Sequence, residues 1–212
     1  KDMADKAAFL FDKLHMPEQV AFARALSKRW KAVVRKYLID ENTMLAAGNC
    51  QTSQAMAIYY NIFEPAERKA AFEQLINLIE EQEYHLDVGV LGGRVLFHVL
   101  TEFGYSDLAF SMITRPDYPS YGNWIARGAT TLWEVFQPEG SDRIGSLNHH
   151  FWGDISSWFT QALSGIRMAP HGEPNEVDFR PSFISRLTHA EAFHIAPAGR
   201  IASAWERDED DV

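Results

Sequence analysis

Residues 17–39 read PEQVAFARALSKRWKAVVRKYLI. Val20, Ala21, Ala23, Leu26, Trp30, Val33, Val34 and Leu38 recur at steps of three and four, the spacing that puts side chains on one face of an α-helix. Pro17 suits a first-turn position, because the first turn needs no N–H from it. Asp40-Glu41-Asn42 ends the run.

The same period extends in both directions. Residues 2–14 (DMADKAAFLFDKL) and 51–63 (QTSQAMAIYYNIF) read as helices. Pro65-Ala66-Glu67 opens another, with Phe72, Leu75, Ile76 and Ile79 on one face. Gly89 through Gly93 read as a break, followed by a helix over 94–103 (RVLFHVLTEF) with Gly104 as its C-cap. A helix over 106–114 (SDLAFSMIT) starts at an N-cap Ser106, 115–127 read as loop, and 148–166 close the helical part with Phe151, Ile155, Trp158, Phe159, Ala162, Leu163 and Ile166. The result is a mainly α body of about seven helices in pairs, which suits a helical toroid or a bundle. No repeat of fixed period appears.

From about residue 170 the texture changes. APHGEPNEVDFRPSF (169–183) has three prolines and no helical period. THAEAFHIAPAGRIASAWER (188–207) has Pro197-Ala198-Gly199 between two runs, the signature of a β-hairpin. An isolated hairpin is marginal in water, so this one either packs on the helices or begins a larger β-domain; the second is the expectation. The acidic end ERDEDDV is expected to fray.

The chain has 212 residues, 46% of them hydrophobic, and a net charge of −9. That balance argues against a nucleic-acid partner, since phosphate binding needs clustered Lys and Arg. The basic run from Lys28 to Lys36 is interrupted by apolar residues and reads as a solvated helix face. No apolar run reaches membrane-spanning length. The lone Cys50 excludes an internal disulfide and offers no pair for a structural zinc site. The chain begins at Lys1, not Met, so the lack of a signal peptide does not fix the compartment.

Three inter-helix segments gather polar residues. Gly48-Asn49-Cys50-Gln51-Thr52 opens a helix, where Thr52 or Ser53 can cap. His85 precedes a glycine-rich run that is no phosphate loop, since GxGxxG and GKS/T are both absent; it can bond a sugar hydroxyl or a backbone carbonyl. The third segment holds Tyr121, Trp124, Trp133, Glu134, Asn148, His149, His150 and Trp152. Glu134 lies in an uncharged run, GATTLWEVF, where a charge is costly unless solvated or paired. Aromatic faces beside Asn, His and a carboxylate suit a sugar ring; the competing reading is a buried aromatic core with one capping Glu. His149 and His150 are adjacent, so on a helix they share no face for a metal, and neither HExxH nor GxSxG is present. No metal or cofactor is expected.

In order, PSYGNWI, GATTLWE, SLNHHFWGDISSWF and LSGI resemble the catalytic domain of bacterial and fungal α-L-rhamnosidases of glycoside hydrolase family 78. GNCQTSQAMAI and HLDVGVLGGRVLFHVLTEFGYSDLAFSMI fit the same pattern upstream. The resemblance implies that residues 1–168 are part of an (α/α)6 barrel and that 169–212 are a linker and the start of a C-terminal β-sandwich. It implies removal of terminal α-L-rhamnose from plant-type glycosides or polysaccharides with inversion, and Glu134 as the general base. His149 would contact the sugar, with Trp133, Trp124, Tyr121, Asn148 and His85 as further substrate-binding candidates. Inverting hydrolysis needs a second carboxylic acid; in the family it lies N-terminal to everything present here. The fragment alone is therefore expected to be inactive and to self-associate through the surface where the rest of the barrel would sit. Two other readings stand beside this one: another (α/α)6 glycosidase, such as an unsaturated-uronide hydrolase, and a non-catalytic helical sugar-binding or interaction module.

Overall fold

The computed structural model describes residues 1–141, 145–168 and 176–208. It divides into two compact units, Lys1–Glu81 and Gln82–Val212. Residues 169–175, which open the expected linker, and the acidic end at 209–212 lie outside the described residues.

In the first unit, α1 (Asp2–Lys13) and α2 (Pro17–Leu38) form a helical hairpin. They meet through small residues: Ala4, Ala8, Val20, Ala23 and Ser27 are buried, and the Ser27 hydroxyl donates to the Asp5 carboxylate. Small side chains let two helix backbones approach closely. Trp30, Val33 and Leu38 share the apolar spacing of α2 but remain exposed, as do Phe22 and Tyr37. A two-residue antiparallel ladder follows, β1 (Ile39–Asp40) against β2 (Leu45–Ala46). Then come α3 (Gln51–Tyr59) and α4 (Arg68–Glu81), which bury Ala55, Ile58, Phe72, Leu75 and Ile79.

Gln54 ties these pieces together. It is 0% exposed; its Oε1 accepts the Ala46 N–H at 2.7 Å, and its Nε2 donates to the carbonyls of Met44 at 2.9 Å and Ala71 at 2.7 Å. Two residues of the basic run make ion pairs: Arg35 reaches both Glu67 oxygens at 2.6 and 2.9 Å and Glu41 at 2.8 Å, and Lys31 reaches Glu64 at 3.0 Å.

Two expectations shift in this unit. The helix read over 51–63 stops at Tyr59, because Asn61 takes a positive φ of 52° and turns Ile62 and Phe63 into the core. Neither Thr52 nor Ser53 caps α3. Cys50 is its N-cap residue without a side-chain capping bond, and Ser53 Oγ donates instead to the Cys50 carbonyl at 3.3 Å.

The second unit opens with α5 (Val90–Glu102) and α6 (Ser106–Thr114). The expected break over Gly89–Gly93 is only partly present. Gly89 is the N-cap residue, but Gly92 and Gly93 lie inside the helix and are buried. A Cβ on Gly93 would sit 2.6 Å from Trp152 Cζ3, so the glycine serves a close approach of the indole and not a turn. The end of α5 follows expectation: Gly104 has φ +85°, its N–H bonds the Thr101 carbonyl at 3.1 Å, and the Tyr105 N–H bonds that of Leu100 at 2.8 Å, a Schellman closure. Ser106 does not cap α6. It is the first helical residue, buried, and its hydroxyl donates to Ser182 Oγ at 3.0 Å.

Residues 115–127, read as loop, contain a short helix, α7 (Tyr121–Ala126). Ser120 is its N-cap; its Oγ accepts the Asn123 N–H at 2.8 Å. The helix expected over 148–166 begins only at Ile155. It runs as α8 (Ile155–Trp158) and then widens into a π-helix over Phe159–Leu163. Trp158 pins it to α5, donating its indole N–H toward Thr101 Oγ1 at 2.8 Å and the Phe97 carbonyl at 3.0 Å.

Beyond the π-helix, β3 (Ile166–Met168) pairs with β4 (Val177–Phe179), and β5 (His189–Ala196) with β6 (Gly199–Glu206). The second pair is the expected hairpin, with Ala196 opposite Gly199 across Pro197-Ala198. It packs on the helical part. The last carbonyls of the π-helix, which have no partner within it, are taken by later residues: Gln161 O by Arg167 Nε at 3.2 Å, Ala162 O by the Ser182 N–H at 2.7 Å, and Leu163 O by the Trp205 indole at 2.6 Å. Among the described residues no helix is long and apolar enough to cross a membrane.

Candidate active site

The site is built on α7 and the two segments that follow it. Tyr121 and Trp124, one turn apart on α7, are 7% and 2% exposed. Trp124 stacks on Phe136, centroids 4.3 Å apart, and meets Tyr121 edge-on at 5.4 Å and Trp152 at 6.2 Å. Burial pushes the Tyr121 phenol well above its ordinary range, with the Asp154 charge adding to it, so the hydroxyl keeps its proton and donates to the Trp152 carbonyl at 3.2 Å. These rings form a dry floor.

On that floor, residues 131–134 run beside 146–149. The His149 N–H bonds the Leu132 carbonyl at 2.8 Å, the Glu134 N–H bonds the Ser146 carbonyl at 2.8 Å, and Thr131 Oγ1 donates to Leu147 O. The Ser146 N–H then donates to Glu134 Oε2 at 2.8 Å. Glu134 is half-buried, with its carboxylate turned to the loop that carries His149. From below, the Trp152 indole N–H donates to the Glu134 carbonyl at 2.9 Å. The residue is thus held at three backbone or side-chain atoms while part of it stays in reach of solvent. A carboxylate so held can accept a proton from water without first reorganising.

The remaining candidates fall in different places. Trp133 is half-buried, meets Trp124 at 6.1 Å and lies under the Arg127 guanidinium at 5.2 Å. Asn148 is exposed, and its backbone N–H bonds Ser146 Oγ at 3.2 Å. The His149 ring meets Phe151 edge-on at 4.2 Å and lies parallel to His150 at 5.6 Å. Tyr121 and Trp124 sit beneath the loops, where they also line a cavity of about 600 Å³ with Thr130, Thr131 and Leu132.

His85 stands apart from this group in role. Nε2 meets Asp117 Oδ2 at 2.9 Å and Nδ1 meets the Gln82 carbonyl at 3.0 Å. Both ring nitrogens are taken by protein, which leaves neither for a sugar hydroxyl. Arg115 and His85 together hold the Asp117 carboxyl far below the usual carboxylate range. This cluster fastens the start of the 116–120 turn.

Sequence reasoning passed over a second cavity, of about 490 Å³, lined by Val90, Leu91, Arg94, His150, Phe151 and Asp154. Asp154 Oδ2 lies 3.5 Å from His98 Nε2. Burial pushes the His98 pKa down, opposed by the Asp154 charge. The only sequence signal for this cavity was the arginine directly after Gly92-Gly93.

Paired helices that carry their polar groups on the connecting loops define a helical-hairpin domain. The chain belongs to the bacterial alpha-L-rhamnosidase six-hairpin glycosidase domain family, whose family model matches residues 2–163. That domain is an (α/α)6 barrel, and this mainly helical chain is part of one. An alpha-L-rhamnosidase of Streptomyces avermitilis is 31% identical over 166 residues, covering 76% of this chain and 16% of the relative. The crystal structure of the Streptomyces avermitilis alpha-L-rhamnosidase complexed with L-rhamnose superposes with a TM-score of 0.88 at 29% identity, over 97% of this chain and 20% of that one. The alpha-L-rhamnosidase of Dictyoglumus thermophilum superposes with a TM-score of 0.84 at 27% identity, over 95% and 23%. The chain therefore spans about a fifth of the length of the proteins it matches.

Proposed function

We propose that this chain supplies the general base of an inverting α-L-rhamnosidase that removes terminal rhamnose from plant-type glycosides or polysaccharides. The observation that carries the reading is the Glu134 carboxylate, half-buried and oriented by the Ser146 N–H, on the loop that leads to His149. Its membership of a rhamnosidase family, and a structural neighbour solved with L-rhamnose, supply the sugar. In this mechanism ionised Glu134 takes a proton from a water molecule as the water oxygen attacks the anomeric carbon. The glycosidic C–O bond breaks on the opposite face, and its oxygen takes a proton from a general acid outside these residues. His149 and Trp133 contact the sugar beside Asn148, while Tyr121 and Trp124 shape the pocket from beneath through Phe136 and Trp152. Residues 1–168 are the catalytic-domain portion, and 169–212 a linker and the start of a β-domain.

The test is Glu134→Gln in the intact enzyme that carries this chain. Turnover of an aryl α-L-rhamnoside is expected to fall by about 10²–10⁴-fold, the usual contribution of a general base, with the thermal transition unchanged. Activity within about tenfold of wild type removes Glu134 from the role. Proton NMR of the first-formed sugar reports inversion; retention of configuration overturns the mechanism.

The isolated 212-residue chain is expected to turn over no rhamnoside and to self-associate through the exposed Phe22, Trp30 and Tyr37 of α2. Measured turnover by this chain alone, or a monodisperse monomer in light scattering, contradicts the respective statement.

A further inference from the structure

We propose that the cavity beside Arg94 receives the leaving group, and that it selects a leaving group carrying a carboxylate, such as a uronic acid. The inference rests on the rhamnosidase reading and goes beyond it by naming what the rhamnose is attached to.

Three features meet in one cavity of about 490 Å³. Arg94 contributes a cation that makes no hydrogen bond or ion pair among the described residues. An arginine left without a carboxylate partner beside a cavity presents a planar fork of donors that fits a carboxylate two-to-two. Asp154 lines the same cavity, yet the two charges do not pair with each other; Asp154 faces His98 instead. One ligand bearing both an acid and hydroxyls can satisfy both, with its carboxylate on Arg94 and a hydroxyl donating to Asp154. Leu91 and Phe151 are 60% and 51% exposed, an apolar wall against which the face of a pyranose can lie.

The position suits a leaving group. The cavity is lined by His150 and Phe151, and the Phe151 ring meets that of His149 at 4.2 Å, so it adjoins the loop that carries the proposed sugar contact. Glu134 does not line it. In an inverting reaction the departing oxygen leaves from the face opposite the attacking water, so its pocket must be set away from the base. The carboxylate itself takes no part in bond breaking; it only orients the departing sugar.

The experiment compares two disaccharides of the same linkage, an α-L-rhamnosyl glucuronate and the corresponding α-L-rhamnosyl glucoside, with the intact enzyme. The ratio of kcat/KM for the acid to that for the neutral sugar is expected to favour the acid, to drop by about ten- to hundredfold in Arg94→Gln, the range for a hydrogen bond to a charged group, and to fall between the two in Arg94→Lys. Because the readout is a ratio, a loss of folded enzyme cancels from it. A ratio unchanged in Arg94→Gln, or a wild-type enzyme without preference for the acid, overturns the inference. An aryl α-L-rhamnoside separates the two levels: if it is cleaved while the ratio stays flat, only this inference falls; if no rhamnoside is cleaved at all, the rhamnosidase reading falls and takes this one with it.

Discussion

Trp152 stands between Gly93 and Glu134: its six-membered ring fills the space where a Cβ on Gly93 would be, and its indole N–H holds the Glu134 carbonyl at 2.9 Å. A residue of α5 therefore sets how deeply the loop that carries Glu134 can sit.

Gly93→Ala tests this coupling. Alanine favours the helix by about 1 kcal/mol, but its methyl would meet a buried, anchored indole 2.6 Å away. Overpacking of this kind costs about 1–3 kcal/mol, so the net change is destabilising. Urea unfolding should show it, and the displaced indole should change the tryptophan emission and lower kcat. A variant as stable and as active as wild type would mean that Trp152 moves aside freely.

Gln54 gives a second, independent prediction, confined to the first unit. Gln54→Leu keeps the volume but leaves the buried Ala46 N–H without its bond at 2.7 Å and the Met44 carbonyl without its bond at 2.9 Å. Each unmet buried group costs about 1–3 kcal/mol, so a loss of about 2–5 kcal/mol is expected in denaturant titration. A loss under about 1 kcal/mol would show that water replaces the amide.

His98 predicts a pH dependence. Its folded pKa lies below the ordinary 6.5, chiefly because it is buried. Between the folded and unfolded values the unfolded chain binds more protons, so stability falls as pH drops below about 6.5 and is fully present above it. His98→Gln should flatten this part of the curve relative to wild type in melting experiments between about pH 5 and 7.5, the range that spans an ordinary His titration. An unchanged slope would assign the dependence to other groups.

These residues also show what could be read before the fold was seen. α2, the Schellman end of α5 and the hairpin at Pro197-Ala198 follow from local chemistry: a helical period, a left-handed glycine, a two-residue turn. Errors arose where the deciding partner is remote in sequence. Gly92-Gly93 looked like a breaker because Trp152 lies some sixty residues on. Ser106 looked like a cap because its true partner is Ser182. α7 is six residues long and holds Gly122 and Asn123; its Ser120 cap and its buried aromatic side, not its propensity, fix it. At the site, the backbone-carbonyl partner that the sequence allowed for His85 is present in Gln82, whereas its second partner, Asp117, lies 32 positions away and has no local signal. Arg94 stands out in the sequence only as the arginine directly after Gly92-Gly93, because the His150, Phe151 and Asp154 that share its cavity lie some sixty residues on.

The carbonyls at the end of the π-helix tie what looks like a tail to what looks like a body. Arg167, Ser182 and Trp205 each close one of them. A cut anywhere between Met168 and Trp205 would thus take donors away from the carbonyls of α8's continuation, and α8 is the segment whose Trp158 is bolted to α5. Whoever trims this protein for expression should leave the hairpin on, because the scissors would loosen the helix that follows the loop of His149 and Trp152.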